Sequence, residues 1–321
     1  MAEDKDIFRL PKIPPVGSEQ KTSKEQFPLD PIFRFPDSRP GIGVFALAKD
    51  LDDVVSSEDA CAISPDGTKL AICDGVGGSV IPKPWASLIA QKWINNPLTS
   101  LDNAQWNDWL KDSRSLWSDW VQNKWLDHVN RYNFLAGRPF IDNDSKHQGR
   151  VEYILRKGAS TTFLGVQIDR DRQEIQAIAI GDSCMILIQP ETGVYRSFPL
   201  QDPSEFGSIP HQIGSLDVPN SQVRGIEIAV KKYYRDEILI LATDEFSKWF
   251  IKNLKLDPKR TMDIIRGLDL DRFRELVAQE RELGSKYSAN DDLTVMMVDL
   301  NNYLSPGSST QSSVRYPSKT R

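Results

Sequence analysis

The sequence predicts an α+β protein in which antiparallel strands and antiparallel helical pairs form separate layers. Short apolar runs separated by turn residues recur as hairpins, whereas a parallel sheet would require alternating strand–helix–strand units. Two regions, 85–136 and 246–284, instead carry apolar residues at every third or fourth position, which is the period of a helix. The chain has 321 residues and shows no internal repeat.

Strands and helices follow in order from these patterns. An apolar run at 41–48 predicts a first strand, and two further runs flank Pro65-Asp-Gly67, which is typical of a hairpin turn. Asn and Pro end the first helix, and Gly137 ends the second. The predicted elements of the first half are strands at 41–48, 60–64 and 68–73, helices at 85–96 and 104–136, and a polar loop at 138–150.

The second half continues with hairpins and then helices. A loop at 200–220 is rich in proline and glycine, and loops of this length are usually functional or mobile. The predicted elements are strands at 160–168, 174–180, 184–189, 194–198, 225–230, 237–242 and 293–300, and helices at 246–254 and 258–284.

A stripe of tryptophans marks one face of the second helix. Core packing explains this spacing better than ligand stacking does, because the residues recur every three or four positions. The stripe comprises Trp106, Trp109, Trp117 and Trp120.

Composition argues against several classes of protein. A net charge of −5 argues against a broadly basic nucleic-acid-binding protein. No apolar run is long enough to span a bilayer, and the charged first residues resemble no secretory signal, so we expect a cytoplasmic protein without a membrane partner. Cys61, Cys73 and Cys184 form no C-x-x-C pair and lie in apolar runs, which predicts buried core residues.

We predict three regions along the chain. Residues 1–40 form a proline-rich arm, either extended along the domain or disordered, and both interpretations stay open. Residues 41–302 form the folded domain. Residues 303–321 are rich in serine and basic residues, which is typical of a disordered tail.

Acidic residues gather at the ends of predicted strands. Asp74 ends an apolar run and is followed by Gly-Val-Gly-Gly, and a carboxylate there is costly to bury unless it is paired or bound to a cation. The 60–73 hairpin brings Glu58 and Asp59 to the same end of the sheet as Asp74. The other acids at strand ends are Asp182, Asp244, Asp291 and Asp292.

This pattern predicts a metal site with oxygen ligands. No histidine or cysteine joins the set, and carboxylates select hard cations such as Mg²⁺ or Mn²⁺. Such ions activate water and clamp phosphate oxygens, so hydrolysis of a phosphate ester is the favoured chemistry. A dinucleotide site is excluded by spacing, because Val80 stands where the last glycine of G-x-G-x-x-G is required.

The same residues resemble the type-2C metal-dependent Ser/Thr protein phosphatases, in order over about 41–300. Each motif is short, but six of them in the right order are fairly specific. The motifs are Glu58-Asp59, Asp74-Gly-Val-Gly-Gly78, Gly158-Ala-Ser-Thr161, Gly181-Asp-Ser183, Ala242-Thr-Asp-Glu245 and Asp291-Asp-Leu-Thr294.

The resemblance implies a central antiparallel β-sandwich flanked on both sides by antiparallel helices, a four-layer α-β-β-α fold. It also implies two Mn²⁺ or Mg²⁺ ions, with a metal-bridging hydroxide as the nucleophile and the 200–220 loop near the substrate. Asp74 would bridge both ions, the carbonyl of Gly75 would bind one, and Asp244 and Asp291 would complete the other site. The remaining implied roles are contacts through water for Glu58 and Asp59 and a third ion at Asp182.

Three departures from the family's pattern bear on activity. The segment 52–56 lacks the arginine that the family places before its acidic pair to grip phosphate. Val76 occupies a position where the family often has a candidate general-acid histidine, and Glu245 replaces a glycine.

Three functions stay open at this point. The first is a phosphatase acting on phosphoserine and phosphothreonine in a phosphoprotein, within a Ser/Thr kinase system. The second is a degenerate module that binds a phosphoprotein or metal with little turnover. The third is an unrelated metal-dependent hydrolase of small phosphoesters.

Overall fold

Two five-stranded antiparallel sheets pack face to face at the centre of this computed structural model, and helices cover both outer faces. The predicted α-β-β-α layers are therefore confirmed. The structure describes residues 36, 38, 41–49, 57–127, 129–130, 145–207, 210–217, 223–282 and 291–303. Most of the predicted arm and tail lies outside these residues.

The strands and helices have the following bounds. In chain order the strands are β1 (Ile42–Leu47), β2 (Ala60–Ile63), β3 (Lys69–Cys73), β4 (Ser160–Thr161), β5 (Phe163–Asp169), β6 (Glu174–Ile180), β7 (Cys184–Ile188), β8 (Tyr195–Phe198), β9 (Ile213–Gly214), β10 (Ile226–Lys232), β11 (Ile238–Ala242) and β12 (Leu293–Asp299). The helices are α1 (Pro82–Asn95), α2 (Asn103–Asn123), α3 (Ser145–Lys157), α4 (Asp244–Leu256), α5 (Pro258–Arg266), α6 (Leu270–Glu282) and α7 (Leu300–Tyr303).

Each sheet is assembled from hairpins, as the turn signals predicted. The first sheet has the order β10-β6-β5-β3-β2 and the second β1-β12-β11-β7-β8, while β4 and β9 form a separate two-stranded ribbon. In the β2–β3 hairpin, Gly67 adopts φ 68°, a conformation that other residues rarely take, and its amide donates to the carbonyl of Ser64 at 2.8 Å.

The continuous apolar runs of the central strands are explained by burial on both faces. In β3, Leu70 and Ile72 point between the sheets, whereas Ala71 and Cys73 pack under α1. A strand covered on one side by a sheet and on the other by a helix keeps no polar face. All three cysteines are buried and free, as predicted.

The tryptophan stripe is core, as predicted. Trp106 is fully buried, and its ring contacts that of Trp109 at 5.3 Å and that of Phe163 at 6.1 Å, both edge to face. The stripe therefore fixes α2 on the outer face of the first sheet.

Several boundaries differ from the prediction. Residues 145–150, predicted as loop, belong to α3, where Val151, Ile154 and Leu155 provide a narrow apolar face in a largely polar sequence. The predicted 104–136 helix is interrupted at Lys124, after α2 ends at Asn123; residues 125–127 and 129–130 are again helical, and residues 131–144 lie outside the described part. The 258–284 helix is two helices, α5 and α6.

Two further differences concern α1 and the 200–220 loop. Helix α1 begins at Pro82, since the first turn of a helix tolerates proline. The loop contains a 3-10 turn at Pro203–Glu205 and strand β9. Within the described residues, no helix is both long enough and apolar enough to cross a membrane.

Candidate metal centre

The strand register brings the predicted acidic residues to one end of the two sheets. Ala60 pairs with Cys73, so the residues before β2 lie beside Asp74 after β3. Cys184 pairs with Ala242, so Asp182 before β7 lies beside Asp244 after β11. The start of β12 is adjacent to the end of β11, which adds the two acids at 291 and 292.

An inner set of three carboxylates forms the tightest part of this cluster. Oxygens of Asp74, Asp182 and Asp244 all lie within 4.8 Å of one another. Asp182 is 4% exposed, and its Oδ1 has no hydrogen-bond partner. Asp74 and Asp244 are half-buried, and such crowding of carboxylate oxygens is the donor set that a hard divalent cation prefers.

Asp59 lies behind this inner set and is fully buried. Neither of its carboxylate oxygens has a hydrogen-bond partner. An unpaired carboxylate in this position is expensive unless it is protonated or faces a cation. Asp59 lies near Asp74 in the acidic cluster, and its contact with a metal through water stays a prediction.

The pKa values of these carboxyls are all raised. Burial raises the pKa of Asp74 well above its ordinary value, and the neighbouring Asp59 and Asp244 add to the effect. Burial, and then Asp244, raises the pKa of Asp182 to about 7. Burial, followed by Asp292, raises the pKa of Asp59. The shared direction means that these groups resist being ionised together without a cation.

The glycine after Asp74 is required by close packing. A Cβ on Gly75 would lie 2.3 Å from the carbonyl oxygen of Glu58, a backbone atom that cannot move aside. A Cβ on Gly78, in contrast, would meet nothing within 4 Å. The loop therefore needs its first glycine to bring the Glu58 and Asp74 segments together.

Two threonines hold the backbone of Asp74. The amide of Thr162 and the hydroxyl of Thr161 both donate to the Asp74 carbonyl, at 2.9 and 2.8 Å. The Asp74 amide donates to the hydroxyl of Thr162, which lies 3.0 Å from that of Ser183. The Gly158–Thr161 and Gly181–Ser183 motifs thus position the inner set, a role that sequence reasoning did not assign.

Asp291 and Asp292 have different surroundings. Asp292 is 4% exposed and accepts hydrogen bonds from the amides of Lys49 and Glu58, at 2.8 and 2.5 Å. The side chain of Asp291 is 47% exposed and does not belong to the inner set. Instead its Oδ1 lies 3.4 Å from Nζ of Lys49.

Lys49 is a basic residue that the motif analysis missed. Its Nζ lies 3.1 Å from Oε2 of Glu58, in addition to its contact with Asp291. Burial opposes its charged form, but the carboxylates of Glu58 and Asp291 outweigh that effect, so the pKa of Lys49 is raised. The available signal was its position two residues after β1, because β1 pairs antiparallel with β12 and Asp291 lies two residues before β12.

Glu245 borders the inner set at the start of α4. Burial raises the pKa of this carboxyl to about 7, with Asp244 as the next cause, and its Oε2 has no hydrogen-bond partner. A small cleft begins here, with mostly apolar walls from α4, α6 and β12. Because Glu245 stands where the type-2C motif has glycine, this chain has a further acid at the edge of the metal centre.

Comparison with solved structures returns phosphatases. A bacterial serine phosphatase is 14% identical, with 81% of this chain and 97% of that chain covered and a TM-score of 0.46. The Mycobacterium tuberculosis phosphatase PstP/Ppp is 14% identical, with coverages of 80% and 97% and a TM-score of 0.45. Stp1 from Staphylococcus aureus is 14% identical, with coverages of 83% and 96% and a TM-score of 0.44.

Structural similarity at 14% sequence identity and TM-scores below 0.5 does not establish a function for this chain. No protein-family model matches the chain, and no curated protein matches it by sequence.

Proposed function

We propose that this chain is a metal-dependent protein phosphatase that hydrolyses phosphoserine and phosphothreonine esters. The observation that carries the proposal is the inner set, in which Asp74, Asp182 and Asp244 place carboxylate oxygens within 4.8 Å of one another. The six sequence motifs that resemble type-2C phosphatases all lie at or beside this set.

The residues present fit a hard divalent cation. The donors are carboxylate oxygens alone, and a buried oxygen of Asp182 lacks any other partner. Asp74, Asp182 and Asp244 would hold the ion, and the resemblance adds the Gly75 carbonyl as a further ligand. When bound, such an ion lowers the pKa of a water molecule and neutralises charge on phosphate oxygens.

The protein's own groups orient the ligands. Thr161 and Thr162 fix the Asp74 backbone through hydrogen bonds of 2.8–3.2 Å, so the point from which the carboxylate reaches its neighbours is fixed. Asp292 joins the backbone amides of Lys49 and Glu58, which closes the outer side of the centre. Rigid support of this kind keeps a metal ligand in its productive geometry.

The finer parts of the proposal come from the resemblance. They are a phosphoprotein substrate produced by a Ser/Thr kinase, a cytoplasmic location, and contacts of Glu58 and Asp59 with bound metal through water. A degenerate module that binds without turnover is the second candidate, because the 52–56 segment has no arginine to grip phosphate.

Hydrolysis of a phosphothreonine peptide tests the proposal. We expect phosphate release with Mn²⁺ or Mg²⁺, none with chelator, and a loss of roughly 100-fold or more in Asp74→Asn. Asp108→Asn, an exposed acid on α2, is the matched control and should keep full activity.

The other outcomes separate the candidates. Mn²⁺ binding without hydrolysis would replace the phosphatase proposal with the binding module. Hydrolysis that survives both chelation and Asp74→Asn would refute the metal-dependent mechanism.

A further inference from the structure

A single ammonium group lies between two of the predicted metal-binding acids. Nζ of Lys49 is 3.1 Å from Oε2 of Glu58 and 3.4 Å from Oδ1 of Asp291. The Lys49 side chain is 36% exposed, and those of Glu58 and Asp291 are 28% and 47% exposed. The outer half of the acidic cluster therefore already has a cation from the chain itself.

This cation is held in place by the backbone on both sides. The Lys49 amide donates to Oδ1 of Asp292 at 2.8 Å, and the Lys49 carbonyl accepts from Nη1 of Arg281 at 2.7 Å. Arg281 also donates to the carbonyl of Asp291 at 2.7 Å, which ties Lys49 and Asp291 to one guanidinium. The backbone of Lys49 is thus fixed by the fold, and its ammonium reaches Glu58 and Asp291 from there.

The glycine loop leaves room for the pair. A Cβ on Gly77 would lie 2.9 Å from Oε2 of Glu58 and 3.3 Å from Nζ of Lys49. The ion pair therefore packs directly against the loop that follows Asp74, at the border of the inner set.

An ammonium and a divalent cation compete for the same carboxylate oxygens. A second ion bound by Asp291, with Glu58 reached through water, would meet the positive charge of Lys49, and like charges at such distances repel strongly. The inner set has a basic neighbour in Lys248, but burial and the surrounding carboxylates outweigh the effect of its charge on the pKa of Asp182 and of Asp244, so both pKa values are raised. Asp182 contributes an independent sign of a ligand there, since it is 4% exposed with an unpartnered Oδ1.

We infer that Lys49 is a tethered counter-ion that takes the place of a second metal. The protein then binds one divalent cation, at Asp74, Asp182 and Asp244, while Glu58 and Asp291 are neutralised by Lys49. This inference rests on the proposed metal-dependent function but departs from the two-ion arrangement that the sequence resemblance implies. The same pairing leaves Lys49 little free charge with which to grip a phosphate.

Calorimetric titration of the purified full chain with Mn²⁺ tests the inference. We expect about one equivalent bound by the wild type and by Lys49→Arg, and about two by Lys49→Met, which removes the charge but keeps the length. Lys92→Met is the matched control, because Lys92 forms a comparable 3.1 Å pair with Asp112 on the helical layer and should bind as the wild type does.

Each other outcome overturns the inference. Two equivalents in the wild type would show that Lys49 does not exclude a second ion, and this result does not depend on whether a variant folds. One equivalent in a folded Lys49→Met would show that Glu58 and Asp291 do not form a second site. Zero equivalents in the wild type would refute both the inference and the proposed function. One equivalent in the wild type and one in Lys49→Met would refute the inference alone and leave the proposed function standing.

Discussion

Asp182→Asn should stabilise the metal-free protein. Asp182 is buried within 4.8 Å of the carboxylates of Asp74 and Asp244, so folding forces these negative charges together. An asparagine has nearly the same shape without the charge, and its amide can donate to a neighbouring carboxylate. The substitution therefore removes repulsion while it keeps the packing.

The distance sets the size of the effect. Two unit charges 4.8 Å apart repel by about 3 kcal/mol at an effective dielectric constant of about 20. Asp182 has two such neighbours, but the clustered carboxyls retain protons, which relieves much of the repulsion. We expect a net gain of about 2 kcal/mol in the free energy of unfolding at pH 8 in EDTA.

The pH dependence follows from the direction of the pKa shift. The pKa of Asp182 is raised to about 7 in the folded state, so the folded protein holds this proton at pH values where the unfolded chain has lost it. The wild type therefore loses stability progressively as the pH rises from the ordinary pKa of 3.8 to about 7, and loses no more above that. The advantage of Asp182→Asn should be full at pH 8, smaller at pH 5 and gone below about pH 4.

Urea unfolding followed by tryptophan fluorescence measures this. In EDTA the variant should unfold at higher urea than the wild type, whereas Mn²⁺ should raise the midpoint of the wild type more, because the variant has lost a ligand. Asp108→Asn controls for a change of net charge. A variant that is less stable than the wild type in EDTA at pH 8 would refute the reasoning.

Three further predictions concern packing. Gly75→Ala should lower the free energy of unfolding by roughly 1–3 kcal/mol and weaken Mn²⁺ binding, because its Cβ would lie 2.3 Å from the Glu58 carbonyl oxygen. Gly78→Ala, the control, should do neither. Equal calorimetric titrations of the two variants with Mn²⁺ would contradict this. Glu237→Ala should lower the free energy of unfolding in urea by about 3 kcal/mol, since it removes a buried carboxylate that Arg196 contacts at 2.6 and 2.7 Å. Glu191→Ala, which removes an exposed partner of Arg266, is the control, and a smaller loss in Glu237→Ala than in Glu191→Ala would contradict the prediction. Trp106→Ala should cost roughly 3–5 kcal/mol by leaving a cavity beside Phe163, and an unchanged melting temperature would show that the stripe is not core.

The sequence predicted the layers well because they depend on local patterns. Turn chemistry at Pro65–Gly67 and the apolar run of β3 are properties of neighbouring residues, and both appear in the structure. Helix α3 escaped detection because its sequence is mostly polar, and its few apolar residues gain a partner only where it packs against α2.

The acidic cluster could also be predicted in outline. An antiparallel hairpin must bring the residues before its first strand beside those after its second, so Glu58, Asp59 and Asp74 meet whatever the rest of the fold does. Tertiary structure alone decided which acids come closest. It placed Asp182 in the inner set and left Asp291 half-exposed outside it. It also brought Lys49 into contact with Asp291, because that contact depends on how β1 and β12, which are far apart in the sequence, align in one sheet.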